Sequence, residues 1–185
     1  MIWSLHSPLG LALTLFFASL FLLLSSPSPT NASTRLVESV CNEVEGILKG
    51  SNSECLKALE LDPRTGSAST YEVLAPIAID LAIANAKDSE AFIKNLLKNN
   101  SSSTEAIKQC ADSYNIVVRD FVGAKEELKE DPLSANYDIK IAGDNVHDCE
   151  TALSSKGLQV PEIASRNHAV FLYSNIGFVI TDHID

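Results

Sequence analysis

AIKQCADSYNIVVRDFVGAKEEL, residues 106–128, decides the fold. Ile107, Cys110, Tyr114, Val117, Phe121, Ala124 and Leu128 recur at three- and four-residue spacing for about six turns, the mark of a helix with one apolar face. A polar link, NNSSST, precedes it, with Ser102-x-x-Glu105 as a capping-box pattern. Asp131-Pro132 closes it, because proline cannot continue a helix interior. Similar stripes flank it. Val73, Leu74, Ile77, Leu81, Ala84, Phe92, Ile93 and Leu96 follow Ser69-x-x-Glu72 and run to about Lys98, with Pro76 either opening or bending that helix. Ile139, Ala142, Val146, Cys149 and Leu153 form the next and stop at Gly157. Ile163, Val170, Tyr173, Ile176, Val179 and Ile180 form the last, after Pro161. No sustained period-two alternation bounded by hairpin turns occurs, so the pattern excludes an all-β fold. Four amphipathic helices of roughly 20 to 28 residues with short links predict an all-α, antiparallel up-and-down four-helix bundle over residues 63–185.

Upstream of the bundle, Thr34 to Gly46 carries Leu36, Val37, Val40, Cys41 and Val44 on one face. Ser51-x-x-Glu54 then opens a short helix with Cys55, Leu56 and Leu59, which ends before Pro63. These pieces predict an N-terminal helical hairpin over residues 32–62. Residues 9–24, LGLALTLFFASLFLLL, are uncharged and followed by the turn-prone SSPSPTNAS. Such a run is short of the ~20 residues that span a bilayer and fits a secretory signal peptide over residues 1–31, cleaved near 30–32. An exported chain with an even count of cysteines, Cys41, Cys55, Cys110 and Cys149, implies two disulfides. Of the three connectivities, pairing Cys41 with Cys55 across the hairpin is the most economical. A bridge between Cys110 and Cys149 suits antiparallel neighbours. The spacing alone leaves all three open. Asn31, Asn99 and Asn100 each begin an N-x-Ser sequon, and glycosylation at the latter two requires an exposed NNSSST loop.

The formal charge is −10, with 24 acidic against 14 basic residues, and none of it lies in the leader. That balance argues against nucleic acid and anionic membranes as partners and suits a partner with a basic rim. No G-x-S-x-G elbow, phosphate-binding glycine loop or H-E-x-x-H is present. Asp144, His147 and Asp148 share one helical face, but no second cluster completes a metal site. His168 and His183 have no motif around them and fit surface or boundary positions. Neither a cofactor, a metal nor catalysis is expected; the chain reads as a binder.

The order of a signal peptide, a cysteine hairpin, DPRT at Asp62 to Thr65, C-A-D-S-Y at Cys110 to Tyr114, Cys149 and S-R-N-H-A-V at Ser165 to Val170 resembles the plant invertase and pectin methylesterase inhibitor family along the whole mature chain. The resemblance implies a four-helix bundle with an N-terminal hairpin, and bridges joining first to second and third to fourth cysteine. It implies a secreted inhibitor of the cell wall, or of the vacuole, forming a roughly one-to-one complex with a pectin methylesterase or an acid invertase. The chain departs from the family in three places. NEVEGILKGSNSE between the first two cysteines lacks the usual threonine and Tyr-Pro element. Lys140 to Asn145, KIAGDN, stands where many pectin methylesterase inhibitors resemble Ser-Ala-Ala-Leu. The Pro-Lys-Phe loop of invertase inhibitors is matched by Pro132-Leu133-Ser134. Asp131, Pro132 and Leu133 are the expected target-contact loop, against the plain alternative that Asp-Pro merely punctuates a helix. Tyr114 is either an interface anchor or, from its place on the apolar stripe, a core residue. A secreted bundle that kept the fold and lost inhibition is the competing function.

Overall fold

The computed structural model describes residues 29–99 and 104–184. The leader through residue 28, Asn100 and Ser102 lie outside the described residues. Six α-helices follow in order: α1 (Pro29–Ile47), α2 (Asn52–Glu60), α3 (Tyr71–Asn99), α4 (Thr104–Glu127), α5 (Pro132–Ser155) and α6 (Pro161–Asp182), with a 3₁₀ turn at Pro63–Ser67 between α2 and α3. No strand occurs among the described residues. Helices α3 to α6 pack as a ring in which each touches its two neighbours, and α1 and α2 lie as a hairpin against α6. The stripe on α4 is the bundle's seam: Cys110, Tyr114, Val117, Phe121 and Ala124 are all fully buried. Pro76 sits inside α3, so that helix runs through it.

Both bridges close between sequence neighbours. Cys41–Cys55 staples α1 to α2 with Cα atoms 5.5 Å apart, and Cys110–Cys149 joins α4 to α5 at 4.2 Å. All four cysteines are fully buried. The cleavage expected near residues 30–32 falls in the first turn of α1.

The helix starts differ from the capping boxes read in the sequence. Ser51 has helical backbone angles and makes no side-chain cap, and its Oγ is buried without a partner. The extended conformation that lets a serine reach forward is absent there. Instead Glu45 reaches down from α1, accepting from the Gly50 N–H and the Asn52 N–H, both at 2.8 Å. Gly50 makes this possible with φ +85°, a left-handed conformation costly for any residue with a Cβ. The Gly50 amide, then that of Asn52, holds the Glu45 carboxyl below its ordinary range. The box at Ser69 is likewise displaced: α3 begins at Tyr71, and Glu72 takes the hydroxyl of Thr70.

Gly143 gives KIAGDN its physical sense. A Cβ there would stand 2.8 Å from the Ser174 Cβ, closer than side-chain carbons approach, so glycine lets α5 and α6 touch. Ser174 Oγ uses that proximity to donate to the Ile139 carbonyl at 2.9 Å. The C-terminal half of helix α6 is buried almost all round, from Leu172 through Gly177 without a break, because the bundle covers one side and the hairpin the other.

Candidate functional site

Four residues, Leu128 to Asp131, separate α4 from α5. Glu130 N–H donates to the Glu127 carbonyl at 3.0 Å and Asp131 N–H to the same carbonyl at 2.8 Å, which turns the chain sharply at the tip. Asp131 then caps α5. Its carboxylate accepts from the Ser134 N–H at 3.1 Å and the Ser134 hydroxyl at 2.8 Å, and the Ser134 amide holds that carboxyl below its ordinary range. Pro132 opens α5, where a missing amide hydrogen costs nothing. The segment expected as a loop is therefore one capping residue and the start of a helix. Asp131 is exposed but occupied by structure, and Leu133 points outward, 80% exposed.

One turn further, Tyr137 is 64% exposed. Sequence reasoning passed over it because it lies off the Ile139–Ala142–Val146 stripe, although an aromatic residue on a polar helix face was itself the available signal. Leu133 and Tyr137, four residues apart on α5, share one face of the helix. Exposed Glu126, Glu127 and Glu130 stand on the adjoining turn, together with Lys129. Farther along the α4–α5 face, Ile116 is exposed, Lys140 pairs with Asp144 at 3.1 Å, and Asn145 donates to Asp120 at 2.8 Å. Burial pushes the Asp120 carboxyl above its ordinary value. Two exposed apolar anchors with an acidic rim are what a protein–protein contact uses: the ring and the leucine exclude water, and the carboxylates select a basic partner.

Other residues singled out from sequence are structural. Tyr114 is fully buried, donating to Asn167 Oδ1 at 2.9 Å, and burial pushes its phenol up. DPRT fastens the hairpin: Asp62 caps the 3₁₀ turn, while the Arg64 guanidinium reaches Asp62 at 2.6 Å and Asp80 of α3 at 2.9 Å. Thr65 Oγ1 donates to the Leu59 carbonyl at 2.7 Å. In S-R-N-H-A-V three successive residues reach three elements. Arg166 lies over the Phe92 ring and pairs with Asp88 on α3, Asn167 takes Tyr114 of α4, and His168 meets Glu54 of α2. The Asp144–His147–Asp148 face is divided: Asp144 takes Lys140, and His147 leans on Glu150 at 3.5 Å. No group of three His, Cys, Asp or Glu residues among the described residues is placed to hold a metal. Asn99 is the last residue of α3, exposed, with its amide on Asn95. Asn31 lies in the first turn of α1. No helix of the described residues is long and apolar enough to cross a membrane.

The described residues form a disulfide-braced helical bundle with a stapled hairpin and an exposed apolar tip. The family model for plant invertase/pectin methylesterase inhibitors matches residues 35–176, and the chain belongs to that family, whose members are inhibitors and not enzymes. Two solved structures share the fold at 18% identity. One is a crystal structure of a mutant form of a pectin methylesterase inhibitor from Arabidopsis, with TM-score 0.66, covering 74% of this chain and 91% of that one. The other is a crystal structure of a pectin methylesterase inhibitor from Arabidopsis thaliana, with TM-score 0.60, covering 82% and 97%. No curated protein sequence matches the chain.

Proposed function

We propose that this chain is a secreted inhibitor that forms a complex of about one to one with a plant pectin methylesterase or acid invertase, docking through the α4–α5 tip. The observation that carries it is the pair Leu133 and Tyr137, 80% and 64% exposed on a rigid, capped helix start. Asp131 and Pro132 shape that start, and Leu133 and Tyr137 make the contact. A rigid anchor loses little freedom on binding, which favours affinity from a small area. The acidic rim adds steering toward a basic cleft edge, so association slows as ionic strength rises. Family membership supports the inhibitor class, and the leader-like N-terminus supports delivery to the cell wall, with Asn99 and Asn100 as sites for glycans.

The test is a parallel titration of the oxidised protein against a purified plant pectin methylesterase and a plant acid invertase at mildly acidic pH. One enzyme should lose activity in proportion to added protein, with an end point near equivalence. The Leu133→Ala/Tyr137→Ala variant should weaken that inhibition by about 100-fold, as expected for a pair of central anchors. A folded, oxidised sample that inhibits neither enzyme across several isoforms would leave a non-inhibitory wall protein as the function.

A further inference from the structure

Asn167 of α6 is satisfied on one side only. Its Oδ1 accepts from the Tyr114 hydroxyl at 2.9 Å, while its Nδ2, in a residue 1% exposed, has no hydrogen-bond partner. A buried donor without an acceptor is costly and uncommon in a packed bundle. With Oδ1 held by Tyr114, Nδ2 is the amide atom left toward the groove between α5 and α6. Asn167 lines two adjoining cavities there, of about 430 and about 340 Å³, and Glu150 of α5 lines both with it. Cavities of about 300–1,000 Å³ are the size that takes small ligands. The two differ in chemistry. The first adds the Asp144 carboxylate, the His147 and His168 imidazoles and the half-buried Phe171 ring. The second is mainly apolar, with Leu153, Leu158 and Val160 around the same two polar residues.

We propose that this groove is a binding site for a neutral sugar, an oligosaccharide of uncharged hexose or pentose units, with Asn167 and Glu150 as its polar contacts and Phe171 as its apolar one. The donor and acceptor pattern selects the ligand. Nδ2 can only donate and an ionised carboxylate can only accept, so the group that serves both must accept and donate together, as a hydroxyl does. An ammonium has no lone pair for the amide, and a carboxylate has no proton for Glu150. The Glu150 charge lies within range of the buried pair: burial chiefly, and Glu150 to a smaller degree, push the Tyr114 phenol up. Asp144 extends the acceptor edge, and the same two carboxylates repel uronate units. Phe171 offers an apolar face to the C–H side of a pyranose ring. The walls are held from outside the groove, Asp144 by Lys140 at 3.1 Å and His168 by Glu54 at 2.7 Å. Glu150 stands about 20 Å along α5 from Tyr137 at a rise of about 1.5 Å per residue, so a sugar held there leaves the α4–α5 tip free.

Proton–nitrogen correlation NMR of the oxidised protein, titrated with cellobiose, xylobiose and sucrose, tests this through the side-chain NH₂ resonances of Asn167. At least one of these sugars should move those resonances and the backbone amides of residues 143–150 and 167–171 to saturation, with residues 71–82 of α3 unmoved. Glu150→Ala, a change at an exposed position, should raise the dissociation constant about tenfold, the loss of one hydrogen bond to a charged group. Digalacturonate should bind at least about tenfold more weakly than the best neutral sugar. No saturable shift with any of the three sugars would leave the Asn167 amide to water alone and overturn the site. So would undiminished affinity in Glu150→Ala, or digalacturonate binding as tightly as the neutral sugars. No enzyme enters these readouts, so the sugar site and the inhibitory function stand or fall separately.

Discussion

The hairpin and the bundle use different means to reach the same packing. In the bundle, helices of 22 to 29 residues bury continuous stripes against two neighbours each, and side-chain hydrogen bonds such as Tyr114–Asn167 sit inside an apolar seam. The hairpin buries little on its own. Its second arm is nine residues long, and it relies on a disulfide, the Glu45 cap, the Arg64–Asp80 pair and two histidine contacts at its edge. A long helix with an apolar face carries its own stability, whereas a short one must be fastened at points. Removing a fastening should thus be felt locally in the hairpin, and removing core volume should be felt globally in the bundle.

The two bridges give the sharpest break. Replacing Cys110 and Cys149 with alanine opens a loop of sequence separation 39 and should cost about 4 kcal/mol on the chain-entropy model; replacing Cys41 and Cys55 opens one of 14 and should cost about 3 kcal/mol. The structural outcome should run the other way. Calorimetry should show the first variant melting earlier as one unit, and exchange should show the second losing protection over α1 and α2 with α3 to α6 intact. Uniform loss of protection in both variants would mean that hairpin and bundle are a single cooperative unit.

Gly143→Ala probes the bundle alone. The new Cβ would meet the Ser174 Cβ at 2.8 Å, an overpacking cost near 3 kcal/mol, less ~1 kcal/mol of better helix propensity. A net loss of about 2 kcal/mol should appear in the urea midpoint, and Ser174→Gly should recover most of it. Loss without recovery would place the strain elsewhere than the α5–α6 contact.

Tyr114→Phe should cost about 1.5 kcal/mol by the same measurement, because Asn167 Oδ1 loses its donor while the seam keeps its shape. Exchange should fall evenly over α3 to α6. An effect confined to the hairpin would blur the distinction between the two regions.

Glu45→Gln is the smallest and belongs to the hairpin. The Glu45 carboxyl is lowered by the Gly50 and Asn52 amides, so its contribution is complete above its ordinary value near 4.5 and is lost as pH falls through the lowered one. The variant should flatten that part of the acid limb of hairpin protection and leave the neutral range little changed. An unaltered acid limb would assign the cap no role in docking.

These differences also explain what could be read in advance. Stripes such as Ile107 to Leu128 report burial directly, so the bundle, its order and the four core cysteines were legible, as was the hairpin from the apolar faces of its two short arms. Capping was legible only as pattern. Ser51 and Glu54 have the right spacing, yet the positive φ of Gly50 carries the chain where Glu45 arrives first, a choice made by tertiary geometry. Gly143 stood out only as part of the departure KIAGDN, because its value lies in the partner helix, which no local pattern shows. At the tip, Asp131, Pro132 and Leu133 read as a contact loop, with helix punctuation as the alternative; Asp131 caps α5 and Pro132 opens it, while Tyr137 was missed because reading for a core discards whatever lies off the stripe.

The all-round burial of the C-terminal half of α6 bears on how the molecule is made. Translation delivers residues 161–182 after every element they pack against, yet the hairpin and the bundle helices α3 and α5 rest on them. A nascent chain therefore holds its first arm and its first pair of thiols well before the surface they settle on exists, and the contacts that join its two ends close loops of more than a hundred residues. Final docking waits until α6 has been made, and a chain cut short within α6 would show the defect first in the hairpin.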